Sequence, residues 1–297
     1  MIPRADRLTT IGSAAAAWLA AITVSACGGS AAVLNQQAEA HRLSADLRVQ
    51  FARASEASDR AVMADTDEAS SSAAHEAEQA TKSVQRDAET LRTVLQDLGD
   101  RNEAAQLDRF TAHFDEYRKL DETILPLAVE NTNIKAQRLA FGPAQDAVTA
   151  LRQSLAQAAP FATAKDAAAV DALAAKATAA VLEIQVTEAR HIAESDEAAM
   201  SRMEAAMQAS GAQARRAIES LRALLPAAAQ PALAAAAAAL DQLTAANVEI
   251  ISLSRRNSNV RSLSLSLGRK RTVTAECTDV LQQLEDTLAS HHFAATR

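Results

Sequence analysis

Asn131-Thr132-Asn133-Ile134-Lys135, running on to Leu139 and Gly142, returns as Asn257-Ser258-Asn259-Val260-Arg261, running on to Leu265 and Gly268. The chain therefore contains itself twice, at an offset of 126 residues here (257 minus 131). Ile124 and Leu127 fall on Ile250 and Leu253. Upstream, Glu89-Thr90-Leu91-Arg92 falls on Glu219-Ser220-Leu221-Arg222 and Thr66-Asp67-Glu68-Ala69 on Ser195-Asp196-Glu197-Ala198, at offsets of 130 and 129. One connection has thus lost a few residues. A repeat of this length exceeds the roughly 20–50 residues of a solenoid unit, and each copy is large enough to bury a core of its own.

Alanine dominates and aromatic residues make up 3% of the chain, so nearly every segment beyond about residue 32 favours helix. The fold class this dictates is all-α. Gly99, Gly142, Gly211 and Gly268, with Pro126, Pro143, Pro160, Pro226 and Pro231, punctuate the chain, several of them where helices should end. In the first copy a helix is expected from about Ala32 to Ala64. Asp65-Thr66-Asp67-Glu68 caps a second that ends near Leu98-Gly99. A third begins near Asn102, its stripe of Leu107, Phe110, Phe114, Tyr117, Ile124 and Leu127 stepping by three and four as in a bundle seam.

That stripe continues through Ile134 and Phe141, so the sequence alone permits one helix of nearly 60 residues. Length matching favours a turn at Asn131-Thr132-Asn133, since four segments of similar length then pack side by side. Asn tolerates the left-handed conformation at a helix C-terminus, and Thr132 or Ser258 is suited to cap the next helix. Gly142-Pro143 should kink the fourth helix. The second copy repeats the plan with helices at about 163–194, 195–225, 231–256 and 258–290. The expected architecture is two tandem up-down four-helix bundles, 32–159 and 160–297.

The N-terminal residues read differently. Arg4 and Arg7 precede an uncharged, small or apolar run from Leu8 to Val24, closed by Val24-Ser25-Ala26-Cys27-Gly28-Gly29. This is the pattern of an export signal over residues 1–26, and the run of about 17 residues is short for a membrane span. A small-residue run ending in Cys resembles the lipobox of bacterial lipoproteins, which implies cleavage before Cys27, acylation of that residue, and a tether over 27–31. An ordinary signal peptide cleaved at the same place, or an uncleaved anchor, are the alternatives. Cys277 is the one other cysteine, so packing rather than a disulfide framework must hold the chain together. A net charge of −7, a single short basic run at Arg269-Lys270-Arg271, and Tyr117 as the only Tyr argue against nucleic acid as a partner.

Ala128-Val129-Glu130-Asn131-Thr132-Asn133-Ile134-Lys135-Ala136-Gln137-Arg138-Leu139 and Leu253-Ser254-Arg255-Arg256-Asn257-Ser258-Asn259-Val260-Arg261-Ser262-Leu263 resemble the third-to-fourth-helix region of the four-helix-bundle sensory modules of methyl-accepting chemotaxis receptors. The likeness covers the chain beyond the tether, one module per copy. It implies a non-enzymatic, extracytoplasmic sensory or binding module acting through a protein signalling partner or a homodimer. Such receptors continue through a second membrane span into a cytoplasmic coiled coil, and no apolar span follows Cys27 before Arg297. The expectation is therefore a sensory module held by lipid on the periplasmic side of a bacterial envelope. A structural or scaffolding helical lipoprotein without a small-molecule ligand is the alternative.

On the seam of Ile124 and Leu127, steps of three or four land on Asn131, Ile134, Arg138 and Phe141, and in the second copy on Asn257, Val260, Ser264 and Leu267. Polar groups on an inward seam need partners. Asn131, Lys135 and Arg138, with Asn257 and Arg261, are the candidate ligand residues for a small anionic metabolite, because guanidinium holds carboxylates bidentately. The resemblance implies the same, since receptor modules of this family that bind amino or organic acids use arginines between helices. The competing reading makes the asparagines turn residues and lets Arg138 pair with a glutamate or reach solvent. Glu188-Ala189-Arg190-His191 has the spacing of one di-iron ligand pair, but the aligned Asp59 and Val62 supply no second pair, so neither metal nor cofactor is expected. His291-His292 reads as a frayed tail. Cys277 has no nearby His and reads as a small buried hydrophobe, and no catalytic arrangement or phosphate-cradling loop is present.

Overall fold

The computed structural model describes the backbone of residues 14–295 and the side chains of residues 31–290. Residues 1–13 of the expected signal segment, and the side chains of all of it and of Cys27, fall outside the described residues. All described elements are helical: α1 (Ala14–Met63), α2 (Asp67–Leu98), α3 (Arg101–Glu130), α4 (Thr132–Leu139), α5 (Gln145–Ala158), α6 (Ala167–Ala193), α7 (Glu197–Leu224), α8 (Gln230–Arg256), α9 (Ser258–Leu265) and α10 (Arg271–Ala295). The all-α class read from composition is the observed one. Among the described residues no helix is long and apolar enough to cross a membrane.

Helix boundaries follow local chemistry. Asp196 accepts from the Ala199 backbone N–H at 2.5 Å and starts α7, and Thr66 does the same for Ala69 at 3.1 Å before α2. Gly99 ends α2 with φ 76°, a left-handed conformation that glycine adopts without penalty. Asn131 and Asn257 are the described non-glycine residues with positive φ, at 51° and 52°. Each is a single left-handed residue between two helices: α3 stops at Glu130 and α4 starts at Thr132, while α8 stops at Arg256 and α9 starts at Ser258. The distortion expected at Gly142-Pro143 is a five-residue π-type turn, Ala140–Ala144, which Ser266–Lys270 repeats in the second copy. Pro143 lacks the N–H that a regular helix would need there.

The chain divides into two compact units, each drawing on both repeats. The first comprises residues 1–56, 76–119 and 270–297; the second comprises 57–75 and 120–269. In the first unit Phe51 of α1 meets Phe110, Phe114 and Tyr117 of α3 edge-on, with ring centroids 5.2–6.1 Å apart. Leu91 and Leu95 of α2 and Cys277, Leu281 and Leu284 of α10 are buried in the same unit. Its fourth helix is α10: Thr287 accepts from Gln106 at 3.1 Å, Glu276 pairs with His113 at 3.1 Å, and Glu285 pairs with Arg48 at 3.0 Å. Burial pushes the Cys277 thiol up to about 12, with Glu276 and Glu116 adding to it, so this thiol is inert as a nucleophile at neutral pH. Iodoacetamide should modify Cys277 only after unfolding, which mass spectrometry of native and denatured protein checks.

In the second unit α4 and α5 pack on α8, α6 packs on α7 and α5, and α7 packs on α8. Thr132 lies beside Ser258 at one end, and residues 159–161 lie near 227–229 at the other, so the α4–α5 stretch runs antiparallel to α8. Leu151, Leu155, Val181, Ile218, Leu221, Leu233 and Leu240 share one buried core. Alanines at 177, 180, 214, 217, 236 and 239 are buried with them, and α6 and α8 contact each other across the bundle.

The division expected at 159/160 thus marks the repeat and does not delimit either unit. The helix after Asn131 does not complete the bundle of its own copy. It packs on α6 and α8 of the other, and α10 takes the fourth place in the first unit. The physical reason is that one left-handed residue redirects a helix without the several-residue loop that reversing it requires.

Candidate functional site

The repeated Asn-rich stretches meet within the second unit, related residue by residue through the repeat. Helix α4 begins with backbone N–H groups that have no intrahelical acceptor, and so does α9. Each helix caps the other. The Thr132 N–H donates to Ser258 Oγ at 3.1 Å, and the Ser258 N–H to Thr132 Oγ1 at 3.0 Å. The Asn133 N–H donates to Asn259 Oδ1, and the Asn259 N–H to Asn133 Oδ1, both at 3.1 Å. Asn133 Nδ2 donates to Asn257 Oδ1 and Asn259 Nδ2 to Asn131 Oδ1, both at 2.8 Å. In an ordinary N-cap the residue before the helix supplies the acceptor. Here that residue is left-handed, its side chain faces elsewhere, and the sister helix supplies it.

The asparagines also tie the two ends to their neighbours. Asn131 Nδ2 donates to Asp67 Oδ1 at 3.1 Å, and its counterpart Asn257 Nδ2 to the Glu194 carbonyl at 2.8 Å. Asn133 Nδ2 reaches the Ile192 carbonyl at 2.7 Å. Glu130 and Arg256, which the repeat also places on each other, form an ion pair. Asn131, Thr132, Asn133, Asn257 and Ser258 are all buried. A polar cluster of this kind is stable only when its members are satisfied.

Of the candidate anion ligands, Asn131 and Asn257 come together in this junction with their amides committed to protein groups. Lys135 lies beside it: Nζ donates to the Glu130 carbonyl at 2.8 Å and stands 3.5 Å from Asp67. Arg138 is exposed and donates to the Asp65 carbonyl at 3.1 Å. Arg261 is exposed too. Asn131, Lys135 and Arg138 thus all face residues 65–67, their donors directed to the Thr66 and Asp65 carbonyls and to Asp67. Asn133 and Asn259 are junction residues that the seam does not single out, while Thr132 and Ser258, expected as caps, each cap the sister helix. The signal available for them was the repeat itself, since a helix N-terminus beginning Asn-Thr-Asn or Asn-Ser-Asn carries more capping side chains than one helix can use.

Chemistry of another kind surrounds the Glu188–His191 pair. His191 is buried, with Nδ1 2.6 Å from Ser254 Oγ and Nε2 2.9 Å from Glu204. Arg255 donates to Glu204 at 2.6 Å and to Ser201 at 2.8 Å. The Arg255 hydrogen bond, with help from His191, holds the Glu204 carboxyl below its ordinary value despite partial burial. Glu188, one turn before His191, shares none of these partners. Among the described residues no group of three or more His, Cys, Asp or Glu is placed to hold a metal ion. No family model, curated protein or solved structure matches the chain.

A carboxyl depressed in the folded state, as Glu204 is, contributes stability that is present above its unfolded value of about 4.5 and lost as pH falls through the folded one. Glu204→Gln should therefore flatten the acid limb of the stability profile between pH 5 and 3, read by urea denaturation at each pH. An unchanged acid limb would remove Glu204 from the set of acid-sensitive groups.

Proposed function

We propose that the protein is a non-enzymatic, exported and lipid-anchored sensory or binding module of the chemoreceptor four-helix-bundle type, acting in signal transduction through a partner protein. The observation that carries this reading is the reciprocal junction. It joins two interrupted helical stretches, α3–α5 and α8–α10, through hydrogen bonds between equivalent residues of the two repeats. A ligand that shifts α4 against α9 must exchange those bonds as a set, and such a change is a discrete step rather than a continuous deformation. The lipobox-like run ending at Cys27 supports the anchor, and the likeness of residues 128–139 and 253–263 to chemoreceptor modules supports the sensory role. Small anionic metabolites are the ligand class this reading favours, with Arg138 and Arg261 at the two ends.

The test is thermal unfolding of the full chain in detergent, followed by circular dichroism across a panel of amino acids, organic acids and metal ions. A ligand at about 100 times its dissociation constant adds roughly 2.7 kcal/mol of stability. A saturable rise in midpoint that Arg138→Ala or Arg261→Ala abolishes is the expected result. A flat panel would overturn the sensory role and leave a helical scaffold.

A further inference from the structure

Glu188 on α6 is 0% exposed, and neither of its carboxyl oxygens has a hydrogen-bond partner. It lines a cleft of ≈ 380 Å³ formed by α6, α5 and the π-type turn between α4 and α5. Ala140, Phe141, Val148 and Val186 give this cleft apolar walls, and Arg152 lies on its lining. Phe141 and Val186 are 68% and 60% exposed, a large apolar surface to leave facing water beside a buried acid. A buried polar group without a partner is costly, and an ionised one more so.

The repeat supplies an internal control for what belongs there. Glu188 corresponds to Asp59 at the upstream offset of 129, and Ala140 corresponds to Ser266 at the downstream offset of 126. In that sister pair Ser266 Oγ donates to Asp59 Oδ1 at 3.1 Å. Alanine at 140 has no hydroxyl to give. The same juxtaposition of α-helical acid and π-turn residue is therefore closed by a protein donor in one half and left open in the other.

We propose that this cleft binds a small guanidinium or amidinium compound with a short apolar chain, its paired N–H groups meeting both oxygens of Glu188. Two acceptor oxygens on one carboxyl match the planar, parallel donors of such a head group, which a single ammonium does not. The cation returns to Glu188 the charge partner that α5 and α6 withhold, and the chain lies along Phe141, Val148 and Val186. Arg152 on the lining selects for compounds carrying an anion at the far end, so 4-guanidinobutyrate fits better than butylguanidinium. Because Glu188 has no surface open to water, the lining side chains must part as the head group enters. The site is separate from the junction and from Arg138 and Arg261, and stands or falls independently of the sensory role.

Isothermal titration calorimetry of the full chain with butylguanidinium, 4-guanidinobutyrate and the neutral isostere butylurea tests it. Both guanidinium probes should bind saturably at one site, butylurea at least about tenfold more weakly, a difference of ~1.4 kcal/mol. Glu188→Gln, which keeps shape and removes charge, should lose the guanidinium probes by the same factor. Ala140→Ser, which copies the sister half and gives Glu188 its donor from within, should weaken them too while leaving the circular dichroism spectrum intact. Arg152→Gln should cost 4-guanidinobutyrate its advantage and leave butylguanidinium unaffected or improved. Equal affinity for wild type and Glu188→Gln, or no saturable heat with either guanidinium probe, would overturn the proposal.

Discussion

Asn133→Ala should destabilise the protein by about 3 kcal/mol, from the loss of three hydrogen bonds at roughly 1 kcal/mol each: to the Ile192 carbonyl, to Asn257 Oδ1, and from the Asn259 N–H. The side chain is 5% exposed, so water cannot replace these partners without rearranging the junction. Asn259→Ala removes the symmetry-related pair of bonds to Asn131 Oδ1 and from the Asn133 N–H, and should cost about 2 kcal/mol. The double variant should cost less than the sum by about 1 kcal/mol or more: the two side chains share no bond, but either change leaves the other residue's backbone N–H unmet and loosens the α4–α9 contact on which the remaining caps depend. Urea denaturation of the four proteins measures this cycle. Additivity within ~0.3 kcal/mol would mean that the two helices cap themselves independently. Asn131→Gly and Asn131→Ala separate the backbone term, since both lose the amide contacts. Alanine alone adds about 1 kcal/mol for the left-handed φ of 51°.

Glu188→Gln should change the pH profile of stability more than any surface substitution. Burial pushes the Glu188 carboxyl up to about 7, against an ordinary value of 4.5. A carboxyl raised in the folded state holds its proton more tightly there than in the unfolded chain. Its contribution is fully present below about pH 4.5 and is lost as pH rises to about 7. About two and a half pH units correspond to about 3 kcal/mol. The variant should therefore gain on wild type by up to about 3 kcal/mol between pH 4 and pH 8, measured by urea denaturation at each pH. The charged group sharing the cleft is Arg152, and His191 one turn along is engaged with Ser254 and Glu204. A wild-type profile parallel to that of Glu188→Gln would mean that the carboxyl is solvated.

Much of this fold is legible in the sequence because it depends on local chemistry. Alanine-rich segments with three- and four-residue stripes become helices, Gly99 ends one, and Asp196 starts another. Asn131 and Asn257 take the left-handed conformation that Asn tolerates at a helix end. What the stripe does not encode is which bundle a helix joins. Val148, Leu151 and Leu155 would be buried against α1–α3 or against α6–α8 alike, so the exchange of fourth helices leaves no periodic signal. Length matching, which places a reversing turn at Asn131, assumes that a helix must pack on its own copy. One left-handed residue meets the same length requirement with a kink.

The sites divide along the same line. That Asn131 and Asn257 matter is evident from polar residues on an apolar seam. That their partners are the equivalent residues of the other repeat is evident only from the fold. Glu188 stands out in the sequence as half of an incomplete metal motif, and its alignment with Asp59 is readable there. The missing donor is not, because pairing Ser266 with Asp59, and Ala140 with Glu188, needs the packing of the π-type turn on the helix that bears the acid.

The exchange of fourth helices is tested most directly by cross-linking within the first unit. Gln106 and Thr287 are hydrogen-bonded there, and the repeat places Phe161 on Thr287 (287 minus 126). In a chain with Cys27→Ser and Cys277→Ala, a short bis-maleimide should join Gln106→Cys to Thr287→Cys quantitatively. Efficient cross-linking of 106 to 161, with none to 287, would mean that each copy keeps its own fourth helix and would contradict the architecture described.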